Sequence, residues 1–115
     1  MGIVIVSTYP DKKSISKISN TVVNKRLAAC VNYTKINSVY TWKGKTENTE
    51  ELLALFKTTA KAKKLLKEEI EKTHPYQVPE IVELEMNSVN MSYQNWLLDS
   101  TRNGKSKKRN NSTKR

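Results

Sequence analysis

The stretch Ala29 to Trp42, ACVNYTKINSVYTW, reads as one β-strand, and it is too long for the domain that must carry it. At roughly 3.3 Å per residue it reaches about 46 Å when extended. A compact chain of this size has a diameter of only about 35 Å. Lys43-Gly44-Lys45 reads as a tight turn, and a return strand follows from about Thr46 to Thr58. The pair should therefore stand out from the body of the protein as an arm. A lone hairpin in water is marginal. This one carries Val39, Tyr40, Trp42, Leu52 and Leu53. Burying one such side chain is worth roughly 1.5–3 kcal/mol, so the arm calls for a second subunit. The alternative breaks the strands midway and folds the arm back onto its own domain. The apolar phase changes along the strand, from odd positions (Val31, Tyr33) to even ones (Ile36, Tyr40, Trp42), which predicts a bulge near Thr34 to Asn37.

The rest of the chain supplies the body. Gly2 to Tyr9, GIVIVSTY, is apolar on both phases and predicts a strand covered on both faces. Asp11 or Ser14 can cap a helix with Ile15, Ile18, Val22, Val23 and Leu27 in helical period. In the return strand, Leu52, Ala54 and Phe56 occupy one face and Leu53 and Leu55 the other, so it is also central. Residues 60–73 predict a second helix with Ala62, Leu65, Leu66 and Ile70 on one stripe. It should end at His74, because the residue before a proline is pushed out of helical geometry. Val82, Leu84 and Met86 alternate with Glu83 and Glu85, a half-exposed edge strand. Ser92 can cap a short last helix bearing Tyr93, Trp96 and Leu97.

The order is βαββαβ plus a helix. Right-handed crossovers put strands one and three in the middle of an antiparallel sheet. These are the two strands that read as doubly covered. The expected fold is a ferredoxin-like α+β sandwich with a long projecting β-hairpin and a short C-terminal helix. It should span residues 1–102, with 103–115, NGKSKKRNNSTKR, as a basic disordered tail without an apolar residue.

Charge follows that division. Residues 102–115 hold seven of the 21 lysines and arginines and no acid, leaving 14 basic and 11 acidic groups in residues 1–101, a net of +3. The tail is expected to contact nucleic acid or an acidic protein through salt-sensitive attraction, or simply to solubilise the chain. It has no aromatic residue for base stacking. The single cysteine, Cys30, permits no internal disulfide and fits a reducing compartment. No apolar run approaches the roughly 20 residues of a membrane span, and the start lacks the basic region of a signal peptide. The expectation is a soluble, cytoplasmic protein without membrane contact.

Several motifs in order resemble one family. Arg26-Leu27-Ala28-Ala29-Cys30-Val31-Asn32, Tyr40-Thr41-Trp42-Lys43-Gly44-Lys45, Glu51, Lys57-Thr58, His74-Pro75-Tyr76, Pro79-Glu80, and Tyr93 with Trp96 are similar to those of the CutA family of divalent-cation tolerance proteins. The resemblance covers residues 3–102. It implies a homotrimer of ferredoxin-like subunits whose hairpins pair with neighbours, an arrangement similar to PII-type signalling proteins. It also implies a response to divalent metals including copper, with no required cofactor and no secure reaction. Some members place a cysteine in the first strand and a second histidine beside the one here. Those positions correspond to Ser7 and Thr73.

Candidate site residues follow from residue chemistry. His74 is the only histidine. It either ends its helix and donates a hydrogen bond, contacts a small ligand, or binds metal. Cys30 reads as a small core hydrophobe, or as a copper ligand together with His74. Tyr40 and Trp42 share a strand face, as do Glu51 and Lys57. The last two are about 20 Å apart and cannot pair within one strand. Each is expected to meet a partner elsewhere, as an interface ion pair or in a cleft between subunits. That cleft would have Trp42 and Tyr76 as walls and Glu51, Lys57, His74 and Glu80 as polar groups. Ser7, Cys30 and His74 come from unrelated segments and match no catalytic motif. The expectation is a binding protein for a metal ion or small molecule rather than an enzyme. The alternative is a structural trimer tethered by its tail.

Overall fold

A computed structural model describes residues 1–101. The expectations for the tail, 103–115, lie outside the described residues. Seven elements run β1 Gly2–Tyr9, α1 Lys12–Asn24, β2 Cys30–Trp42, β3 Lys45–Thr59, α2 Lys63–Thr73, β4 Val82–Glu85 and α3 Met91–Ser100. The antiparallel sheet has the order β2-β3-β1-β4. The two doubly apolar strands are central, as the sequence requires.

Local chemistry sets the boundaries. Asp11 caps α1, its Oδ1 accepting from the Ser14 N–H at 2.8 Å. The helix buries Ile15, Ile18 and Val22. It ends at Asn24, before Arg26 turns to a φ of 60°. Leu27 is buried beyond the helix rather than on it, and Val23 is exposed. α2 starts at Lys63, three residues later than expected, and Leu65 points to solvent while Leu66 and Ile70 are buried. Asn90 rather than Ser92 occupies the N-cap position of α3, without a side-chain bond to the helix backbone. The β2–β3 turn is two residues, Lys43 at φ 51° and Gly44 at φ 80°. Both lie in the left-handed region, where glycine is nearly free of cost and which the right-handed strand twist favours.

Helices α1 and α2 cover one face of the sheet, where Ile3, Ile5, Tyr9, Leu52, Ala54 and Phe56 form the core with Ile15, Ile18, Val22, Leu66 and Ile70. The register places Val4, Val6, Leu53 and Leu55 on the opposite face. These four are only half-buried. β4 continues that open face with Val82 and Leu84, 44% and 51% exposed. Alternation alone leaves open which side of β4 meets the helices. Glu83 points to the helix side, where Lys63 and Lys67 each approach its carboxylate at 2.7 Å.

The expected bulge near Thr34 to Asn37 is absent. Thirteen consecutive pairs join Cys30↔Lys57 to Trp42↔Lys45 without interruption. The apolar phase changes for another reason. β1 stops at Tyr9↔Leu52, so from Ile36↔Glu51 outward the hairpin has no β1 partner. The covered face changes there, not the register. Seven pairs, Ile36 to Trp42 on β2 with Glu51 to Lys45 on β3, form the projecting arm, roughly 23 Å of strand. The molecule is correspondingly elongated, 51 × 27 × 24 Å.

Two ion-pair clusters tie the helices down. Lys63 and Lys67 hold the Glu83 carboxyl below its ordinary range. For Glu69, burial pushes the carboxyl up, but hydrogen bonds and charge from Lys25 and Lys72 outweigh it and the net direction is down. A carboxyl depressed in the folded state contributes stability above its unfolded pKa and loses it as pH falls through the folded value. Urea midpoints are therefore expected to fall as pH drops from about 6 to about 3, and Glu83→Gln should flatten that dependence. A midpoint independent of pH over this range would show that the clusters add nothing.

Candidate functional site

α2 cannot continue past His74, which takes the extended geometry φ −69°, ψ 136° ahead of Pro75. The chain from 74 to 80 then runs beside the sheet where β1 has ended. His74 packs its ring on Tyr9, 4.2 Å between centroids and 27° from parallel. The Tyr76 backbone N–H donates to Nδ1 at 3.1 Å. Nδ1 is therefore the acceptor nitrogen, and the proton sits on Nε2, which donates to the Thr8 carbonyl at 2.9 Å. Burial lowers the pKa of the ring, opposed by the Thr8 carbonyl and by Glu51. His74 is a neutral imidazole with both nitrogens engaged. Of the three expected roles, the helix-ending hydrogen-bond donor is the one this geometry displays.

The structure does bring Ser7 to His74, Oγ to Nε2 at 3.3 Å. An Nε2 that carries its own proton cannot take one from a hydroxyl, and Ser7 is fully buried. The contact is not a nucleophile and base.

Beyond His74 the segment meets the arm. Tyr76 donates its hydroxyl proton to Glu51 Oε2 at 2.7 Å. Burial, then the Glu51 hydrogen bond and the charges of Glu51, Tyr40 and Asp11, push the phenol well above its ordinary value. Tyr76 thus remains a donor throughout the neutral range. Glu51 meets a partner within its own chain, where an intersubunit partner had been expected. Between the arm and residues 75–80 lies a groove of about 850 Å³. Trp42, Glu51, Tyr76 and Glu80, expected at a cleft between subunits, line this groove within one chain, and Tyr40, Val39 and Gln77 join them.

Two expected members do not line it. His74 stands behind Tyr76, held by Thr8. Lys57 lies at the other end of β3, opposite Cys30. Cys30 is half-buried on the open sheet face rather than in the core. Its Sγ–H donates to Asn32 Oδ1 at 3.6 Å. Cys30 and His74 do not meet within one chain, and among the described residues no three His, Cys, Asp or Glu side chains converge as a metal site. A resident metal does not fit these residues in a single subunit. Among the described residues, no helix is long and apolar enough to cross a membrane.

The residue behind the groove that sequence reasoning missed most clearly is Tyr9, buried under the His74 ring. Its ring orients His74, but a tyrosine ending a buried strand carries no periodic signal of that stacking. The Tyr76–Glu51 bond joins residues 25 apart, a separation with no local signature.

Known proteins are similar to this chain in sequence and fold. The family profile described as CutA1 divalent ion tolerance protein matches residues 3–100. A divalent-cation tolerance protein CutA from Pyrococcus horikoshii is 37% identical over 100 residues, covering 87% of this chain and 98% of the relative. One from Thermotoga maritima is 41% identical over 98 residues, covering 85% and 97%. The solved structure of the divalent cation tolerance protein (Cut A1) from Thermus thermophilus superposes with a TM-score of 0.82 at 41% identity, covering 88% of this chain and 99% of that one. With the match spanning nearly every described residue, the chain belongs to the CutA1 divalent ion tolerance protein family.

Proposed function

We propose that this protein serves divalent-cation tolerance as a cytoplasmic homotrimer that binds, without transforming, a small ligand in clefts completed between subunits. The observation that carries this reading is the groove beside the arm, walled by Trp42, Tyr40 and Tyr76, with Glu51 and Glu80 as convergent polar groups. Its volume falls in the range of small-ligand sites, roughly 300–1,000 Å³. Assembly is supported by the open sheet face, where Val82 and Leu84 stand exposed beside Val4, Val6, Leu53 and Leu55. The tolerance role comes from the relatives' names.

Copper or another divalent ion enters this proposal only through donors pooled from more than one subunit. Calorimetric titration with copper(II), zinc and a panel of small metabolites tests it. A saturable isotherm is expected for the wild type, weakened at least about tenfold, or 1.4 kcal/mol, by Trp42→Ala. His74→Ala and Cys30→Ser should leave the site stoichiometry unchanged. Heat that survives Trp42→Ala but disappears with Cys30→Ser would move the site to the sheet face and end the cleft reading.

A further inference from the structure

The groove has an unusual charge for this chain. The sequence has 21 lysines and arginines against 11 acids, yet the groove lining contains two carboxylates and no basic side chain. Glu51 is the informative one. It is 8% exposed, and its hydrogen bond comes from the uncharged Tyr76 hydroxyl on Oε2. Among the described residues no ammonium or guanidinium stands within ion-pair distance of it. A buried carboxylate without a cation is costly, and a neutral donor offsets only part of that cost. Asp11 adds a third negative group near Tyr76.

The walls point the same way. Tyr40 and Trp42 leave 42% and 39% of their surface open, and aromatic faces attract cations. Lys43 Nζ already stands 6.0 Å from the Trp42 centroid, from outside the groove lining. A bare divalent ion suits this site poorly. Calcium and magnesium take six or more oxygen ligands, zinc and copper take about four donors, mostly nitrogen or sulfur, and no three His, Cys, Asp or Glu side chains converge among the described residues. An ammonium head is satisfied instead by one or two carboxylates and ring faces.

We infer that the groove takes a small organic cation, an alkylammonium or quaternary ammonium group seated on Trp42, Tyr40 and Tyr76 and facing the Glu51 and Glu80 carboxylates. This names the ligand class of the cleft proposed above and rests on that reading.

The probe pair is choline and its neutral isostere 3,3-dimethylbutan-1-ol, titrated into the full chain and followed at the two indole N–H resonances by nuclear magnetic resonance. Trp42 lies in the groove and Trp96 on α3, so Trp96 is the internal control. Choline should shift the Trp42 signal saturably and leave Trp96 unmoved. The isostere should bind at least about tenfold more weakly, from the summed cation–π and carboxylate attraction. Glu51→Gln and Glu80→Gln should each weaken choline and not the isostere. If Glu51→Gln does not fold, Glu80→Gln carries the comparison. Equal affinity for the two probes, or binding only of neutral or anionic compounds, overturns the cation inference and leaves the ligand cleft standing. A Trp42 signal that nothing moves, as when a lysine of a second copy occupies Glu51, overturns both.

Discussion

Lysine in place of Leu55 is expected to leave the protein folded and monomeric. Leu55 sits on β3 between Val6 of β1 and Asn32 of β2, on the sheet face that α1 and α2 do not cover. Val4, Val6 and Leu53 lie beside it on that face, and Val82 and Leu84 extend the face across β1. In a single subunit a lysine there reaches water along its own stem and costs little. In an assembly the same ammonium is sealed against apolar neighbours without a partner, at several kcal/mol per subunit. With three such charges meeting, that is enough to reverse association driven by this face. Light scattering on a gel-filtration peak at micromolar concentration should give a three-chain mass for the wild type and a one-chain mass for Leu55→Lys, with unchanged far-UV dichroism. Val23→Lys is the control: Val23 is 40% exposed on α1, away from this face, and the variant should stay trimeric. A trimeric Leu55→Lys, or a monomeric wild type, would refute the proposed interface.

That prediction depends on knowing which way each residue of a strand faces, and here sequence reading succeeded in part. For β1 and β3 both phases are apolar, so central placement followed without knowing which face met the helices. β4 shows the limit. Val82, Leu84 and Met86 alternate with acids, and alternation reveals two faces without saying which one is inward. The expectation was a half-exposed edge strand, with the inward side left open. The structure turns Glu83 inward, because Lys63 and Lys67 on α2 wait for it, and leaves Val82 and Leu84 on the open face.

The arm had the same difficulty in another form. Its length was legible by counting residues. Its phase change was read as a bulge because a strand was assumed to keep one covered face throughout. The ladder from Cys30↔Lys57 to Trp42↔Lys45 is continuous. The helices cover its base, and the groove lies on the other face of its outer half. At the candidate site, Trp42, Glu51, Tyr76 and Glu80 were legible from residue type and from the family resemblance. Their neighbours were not, because Tyr9 under His74 and the Tyr76–Glu51 bond are made by tertiary packing between distant segments.

Phe56 is the next residue along β3, and replacing it by alanine should fail in a different way. Its ring faces the helices, fully buried and 6.4 Å from the Tyr9 ring centroid. Removing a buried phenylalanine costs about 3–5 kcal/mol, from lost transfer energy and the cavity left behind. That is a large share of the roughly 5–15 kcal/mol that holds a domain together. At about 4–8 °C per kcal/mol for a domain of this size, Tm should fall by about 12 °C or more. Yet the open face is untouched, so whatever Phe56→Ala protein remains folded should still associate. Thermal scans over a hundredfold range of protein concentration separate the two cases. Tm of an assembly rises with concentration by mass action. The rise should persist in Phe56→Ala, displaced downward, and vanish in Leu55→Lys. A loss below about 1 kcal/mol in Phe56→Ala would mean the ring is not the core anchor its burial implies. A concentration dependence kept by Leu55→Lys and lost by Phe56→Ala would mean that the core and assembly faces of β3 have been exchanged.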